Sequence, residues 1–414
     1  MKKVLIIAVL LVLVLVIGYN IFQYAVKTIT EREVRRITQQ EIGRITEEET
    51  DKITQQEIGR ITEEETDKIT QDEMDRIIDE MIKQKTEEIT RQMFGGGIGS
   101  DTDKLKEVEC DKAPTQRKFA SKPYYNGPLI DAHLHMPFTF EVPKAIYQEA
   151  DWDGPILEKE VAAASIICDF DKEKTSSAFG FYVVPSLLKG QAVQLINDVE
   201  QKYTGRVIPF LMPAHVSGLD LSAEDAEEIL NSNKGLFRGY GEIAFYKGAF
   251  KGISPDDPSL IGIYKFAGKH NLIVMIHPDT GQQQAIERVL KDHPNVTFLF
   301  HGSYNMGSYA ADIVGKYPNA YFTIDTDLSD ITHDFESVSL YGSGNKGKFI
   351  SDFKRDYSRV LDIAIKTWKS AIEKHPDKFL WGTDRAYDWH FDPEVGALLE
   401  EISRSFIGQL SPDA

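Results

Sequence analysis

Two histidines one residue apart close a short apolar run, for Pro128 to Met136 reads Pro-Leu-Ile-Asp-Ala-His-Leu-His-Met. In a β-strand alternate side chains share a face, so His133 and His135 project together from the strand's C-terminal end. Two neutral imidazoles so placed grip one metal ion, zinc being the usual partner. Four further apolar runs end in a titratable residue. Leu272–Ile276 precedes His277, Val296–Phe300 precedes His301, Phe379–Thr383 precedes Asp384, and Leu236–Gly241 precedes Glu242. Nitrogen and oxygen ligands of this kind, with one position left open, describe a catalytic metal site.

The elements that must position these residues alternate between strand and helix. Strands are predicted at Leu129–His133, Ala164–Cys168, Val207–Met212, Leu236–Ile243, Leu272–His277, Val296–His301, Ala320–Asp325 and Phe379–Asp384. Helical patterns lie between them, at Ala192–Tyr203, Ala223–Asn231, Ser259–His270, Gln283–Asp292, Tyr309–Tyr317, Tyr357–Lys374 and Pro393–Ile407. Eight strands with intervening helices over residues 123–414 predict an α/β domain, a (β/α)8 TIM barrel. A doubly wound open sheet is the alternative, and no Gly-x-Gly-x-x-Gly turn follows the first strand to support it. In a barrel the C-terminal strand ends converge on one mouth, where active sites of this fold lie.

At these residues the chain resembles the amidohydrolase superfamily, in its amidohydrolase-2 branch of metal-dependent barrel enzymes. The resemblance runs from about Pro128 to Leu399 and leaves out everything before it. It implies that His133 and His135 are the strand-one metal ligands, with His277 and His301 their partners on strands five and six. Asp384, in Trp-Gly-Thr-Asp, matches the strand-eight aspartate. Glu242, in Gly-Tyr-Gly-Glu-Ile, matches the carboxylate with which TatD-like relatives bridge two metals. Other members use a carbamylated lysine there, or a single metal. One or two divalent ions, zinc foremost, are therefore implied. With Glu242 inward it bridges two ions; turned aside or paired to Arg238, it leaves His133, His135, His277 and Asp384 around one, and frees His301 for catalysis.

The implied chemistry is hydrolysis of an ester, lactone, amide or phosphoester by metal-activated water, with Asp384 and His301 as the catalytic groups. Non-oxidative decarboxylation of a carboxylated substrate, found in the same branch, is the alternative, and a catalytically silent membrane scaffold is a third reading. Arg385 is expected to clamp a substrate carboxylate or phosphate, with pairing to a neighbouring acid the alternative, and Tyr304 and Tyr387 are expected as walls. His270, His293 and His375 each follow a helix and belong to the opposite, stability face. His215 is within reach of the mouth, and His333 and His390 fall in loops. Residues 326–355 read as a long loop able to cover the mouth.

The rest of the chain reads differently. The full sequence has 414 residues and a net charge of −18, which argues against nucleic acid as a main partner. Its two cysteines, Cys110 and Cys168, are too few for a disulfide framework, and Cys168 reads as a buried thiol. Lys2 and Lys3 precede an apolar run from Val4 to Ile17, with no charge before Lys27. Residues 1–26 therefore read as a single-pass membrane anchor, with a cleaved signal peptide the alternative, and the barrel is expected outside the cytoplasm. Residues 27–93 form an eight-residue repeat, as in Ile37–Arg44 and Ile45–Lys52. Eight helical residues overshoot two turns by about 80°, so no fixed apolar seam forms. A solvated helical stalk follows from this, with self-association as a coiled coil the alternative. Residues 94–122, opening on Gly95-Gly96-Gly97-Ile98-Gly99, read as a flexible linker.

Overall fold

Eight parallel strands pair in sequential order, β1 with β2 through to β7 with β8, in the computed structural model of the protein. They are β1 (Leu129–His135), β2 (Thr175–Val183), β3 (Val207–Met212), β4 (Gly239–Ala244), β5 (Ile273–His277), β6 (Thr297–Phe300), β7 (Ala320–Asp325) and β8 (Phe379–Gly382). The structure describes residues 108–110, 119, 123–136, 161–215, 220–246, 248–301, 306–325, 340 and 344–414. The chain divides into two units, Met1–Gly96 and Gly97–Ala414, and every described residue belongs to the second. The expected anchor and stalk lie outside the described residues. Among the described residues no helix is long and apolar enough to cross a membrane.

A helix follows each strand: α1 (Ala163–Glu173), α2 (Lys189–Lys202), α3 (Ala223–Ser232), α4 (Ile261–His270), α5 (Gln283–Asp292), α6 (Met306–Lys316), α7 (Lys346–Lys374) and α8 (Pro393–Ile407). Their boundaries follow local chemistry. Ser222, Asn345 and Asp392 cap α3, α7 and α8 by accepting from the backbone NH of Asp225, Lys348 and Glu394. Pro393 occupies the first turn of α8, where its missing NH costs nothing.

The barrel closes where β1 meets the chain just past β8. Asp384 N donates to His133 O at 2.8 Å, and His135 N donates to Arg385 O at 2.9 Å. The buried Asp131 carboxylate reinforces this seam. Its Oδ1 accepts from the NH groups of His133 and Thr383, both at 3.0 Å, and its Oδ2 accepts from Thr383 Oγ1 at 2.6 Å.

The second strand is not where the sequence places it. Residues 164–168 lie in α1, because Ala163, Ile166, Ile167 and Phe170 recur at helical spacing and bury one face. The helix ends on Lys174 in the left-handed region, and β2 starts at once, in a stretch rich in Phe, Tyr and Val. The loop expected over residues 326–355 also shortens, since α7 begins at Lys346 behind its Asn345 cap. Residues 326–339 and 341–343 lie outside the described residues.

The linker also departs from the expected flexible, disulfide-free tie. Cys168 is no free thiol but is disulfide-bonded to Cys110, with Cα atoms 5.6 Å apart. The linker is thus tied to α1, and again at Phe119, whose ring stacks on Tyr357 and whose NH donates to Glu401. Beyond it, fully buried Arg404 of α8 holds the entry to β1. Its Nη1 donates to Gly127 O (2.7 Å) and Tyr125 O (3.3 Å), its Nη2 to Glu173 O (2.6 Å), and its Nε to Glu400 (2.6 Å). Arg404→Leu leaves Glu400 and three carbonyls without their donor. It should lower unfolding stability by about 3–5 kcal/mol, read from denaturant midpoints; a loss below about 1 kcal/mol would contradict this role.

Candidate metal centre

Each site residue stands in the C-terminal half of a strand or just past its end. His133 and His135 alternate along β1, and both are buried. Glu242 lies in β4, His277 ends β5, and His301 follows β6. Asp384 follows β8 with φ of 53°, a left-handed backbone rare for a residue other than glycine and found where a site constrains the chain.

Glu242 points inward, away from the pairing with Arg238 considered above. Gly241 makes this possible, because its φ is 119° and a Cβ there would lie 2.4 Å from Met275 O on β5. The β4–β5 register shifts between Tyr240 and Ile243 in consequence.

The two Glu242 oxygens face different partners. Oε1 lies 2.9 Å from His277 Nδ1 and 2.7 Å from His301 Nε2. Oε2 lies 3.4 Å from His135 Nε2 and 3.9 Å from His133 Nε2. Asp384 Oδ1 sits against the same pair, 3.3 Å from His133 Nε2 and 3.1 Å from His135 Nε2. Two groups of donor atoms therefore share Glu242: His133, His135 and Glu242, and Glu242, His277 and His301.

Electrostatics follows this geometry. Burial alone would raise the Glu242 carboxyl, but His301 and His277 hold it well below the usual range. Asp384 is likewise held down against burial, by His133 and His135. His301 is pushed well up by Glu242 and Asp325 although burial opposes it. His277 is pushed down to about 4, first by burial and then by the charge on His301.

The donor set fits a metal. His133 Nδ1 is engaged by Asp325 at 3.2 Å, while its buried Nε2 makes no hydrogen bond yet faces carboxylate oxygens of Asp384 and Glu242. A buried lone pair set against anionic oxygens calls for a cation between them.

Asp325 was not anticipated from sequence, although Ala320–Asp325 follows the same pattern of an apolar run with a titratable end. Tyr246, just past β4, is a second addition, its ring 4.3 Å from that of His277 and its surface 36% exposed. Arg385 does not reach the mouth as a clamp. Its Nη2 contacts both oxygens of buried Glu173 at 2.9 Å, and it is 2% exposed. Tyr304 and His333 lie outside the described residues. His215 turns its Nε2 to accept from Ala244 N and braces the end of β4. His390 Nδ1 accepts from Ala386 N and Tyr387 N, shaping the turn after β8. His270 ends α4, and His293 and His375 cap α5 and α7, at the opposite end of the barrel from the site.

Known proteins resemble the chain only in structure. No family model matches the sequence, and no curated protein does. Among solved structures, a probable 2-pyrone-4,6-dicarboxylic acid hydrolase from Acinetobacter baumannii is 15% identical, covering 69% of this chain and 97% of its own, with a TM-score of 0.39. Amidohydrolase 2 from Bifidobacterium longum subsp. infantis is 12% identical, covering 69% and 100%, with a TM-score of 0.37. A 2,6-dihydroxybenzoate decarboxylase is 11% identical, covering 66% and 92%, with a TM-score of 0.36. At these levels each is a likeness, and the reading of the site rests on its own residues.

Glu242→Gln removes the charge shared by the two donor groups. Bound metal, measured by elemental analysis, should fall from two ions per chain to one; a count of one in both proteins would leave a mononuclear site.

Proposed function

We propose that the barrel is a metal-dependent hydrolase of the amidohydrolase type, acting on an ester, lactone, amide or phosphoester. The observation that carries this reading is the unbonded, buried His133 Nε2 aimed at the Asp384 and Glu242 oxygens, with His135 beside it. His133, His135 and Asp384 would hold one divalent ion and His277 and His301 a second, with Glu242 between them. Nitrogen and oxygen donors in these numbers suit zinc. When bound, such an ion acidifies water and polarises a carbonyl or phosphoryl oxygen.

The chain's own residues supply the rest. Asp384 is held ionised at neutral pH. It is placed to accept the proton of attacking water and to pass it to the leaving group. His301 fixes the face of Glu242 and orients the second half of the site. Tyr246 forms a wall beside His277. Hydrolysis is favoured over decarboxylation because Arg385, the expected carboxylate clamp, is already engaged by Glu173. Asp384→Asn should lower turnover about 10²–10⁴-fold on any substrate found in a screen of lactones, carboxylated aromatics and phosphodiesters. Product formed in ¹⁸O-water should carry one labelled oxygen; release of carbon dioxide with no label in the remaining organic product would support the lyase instead.

The enzyme is held on a membrane through residues 1–26 and carried on the 27–93 stalk, which self-associates or stands alone, with the barrel outside the cytoplasm. The Cys110–Cys168 disulfide supports that side, because such bonds persist in oxidising compartments. Full-length protein should stay in the membrane fraction through high-salt and alkaline washes, and thiol alkylation before reduction should label neither cysteine. A soluble chain starting beyond Tyr24, or two free thiols, would overturn the placement.

A further inference from the structure

Asp325 stands outside the proposed ligand set, yet it touches both halves of it. Its Oδ2 lies 3.2 Å from His133 Nδ1 and 2.9 Å from His301 Nδ1. The two rings meet edge to face, with centroids 4.2 Å apart. A carboxylate oxygen only accepts, so both imidazoles must donate from Nδ1. Each ring then turns Nε2 to the mouth, that of His133 unbonded and that of His301 donating to Glu242 Oε1 at 2.7 Å until an ion takes the proton's place. His133 Nε2 faces Asp384 and Glu242 Oε2, and His301 Nε2 faces Glu242 Oε1. One oxygen thus governs one histidine in each donor group.

The carboxylate is itself held in place. Asp325 ends β7 opposite Gly382 of β8. A Cβ on Gly382 would lie 2.5 Å from Asp325 Oδ1 and 2.8 Å from His133 Cβ, so only glycine leaves room for this arrangement. Thr323 Oγ1 donates to Oδ1 at 3.3 Å, leaving Oδ2 to the two imidazoles.

We infer that Asp325 is a positioning residue shared by both metal groups, fixing through one oxygen the tautomer and ring orientation of His133 and of His301. Both metal affinities then depend on it, although it need bind neither ion. The inference rests on the proposed metal-dependent function. A carboxylate that orients a metal-bound histidine is commonly worth about 10–100-fold in metal affinity, and here one residue would act on two sites.

The test is a zinc titration of metal-free, full-length protein against a chromophoric chelator, for the wild type, Asp325→Asn and His277→Asn. Asp325→Asn should weaken both binding steps by about 10–100-fold, whereas His277→Asn should weaken one. Asp325→Asn leaving both steps within threefold, or weakening one alone, would overturn the inference. Nitrogen NMR of ¹⁵N-histidine-labelled wild type at alkaline pH gives a reading independent of how the variants fold. A proton on Nδ1 of both His133 and His301 is expected, and an Nδ1 without its proton on either ring would refute the role. A wild type that took up no zinc would overturn the metal reading itself, and the spectrum would still decide whether Asp325 sets the two tautomers.

Discussion

Closing the sheet is the constraint on which the site depends. A parallel barrel needs its first strand to pair with its last, and here the last pairing falls on Thr383, Asp384 and Arg385, past the end of β8. The residues that close the barrel are therefore neighbours of those that carry the chemistry. Asp131 binds the backbone of His133 and Thr383 together, so the distance between the β1 histidines and Asp384 is set by the seam. Glu173 of α1 grips Arg385 from outside and fixes the same turn.

Inside that frame the site is a balance of buried charge. Glu242, Asp325 and Asp384 face His133, His135, His277 and His301, and little of this cluster is open to water. Such a cluster is tolerable only when every anion has a cation or a donor against it. Protons supply part of that in the metal-free chain, as the raised His133 and His301 show. Ions and protons thus compete for the same lone pairs, so metal affinity should weaken as the pH falls.

Much of this was readable in the chain because strand ends in a parallel barrel share a single destination. An apolar run closed by His, Glu or Asp therefore reports a position as well as a residue type, which is why His133, His135, Glu242, His277, His301 and Asp384 could be named together. The same rule applied to Ala320–Asp325 would have added Asp325. What resisted reading was tertiary. Ala164–Cys168 is apolar enough for a strand, and only the wider spacing through Phe170 reveals the helix. The partner of Arg385 lies 212 residues away on α1, and the partner of Cys168 lies 58 residues away in a polar linker. Contacts at such separations leave no local pattern.

The position of the disulfide along the chain has a mechanical consequence. Tension arriving from the N-terminal side meets Cys110 first and crosses to Cys168 in α1, 58 positions further on, so the loop between them is bypassed. That loop contains the whole of β1, with His133 and His135. Any pull reaching Cys110 from that side is therefore borne by a covalent shunt into an outer helix. The strand that carries two of the metal-facing imidazoles stays slack.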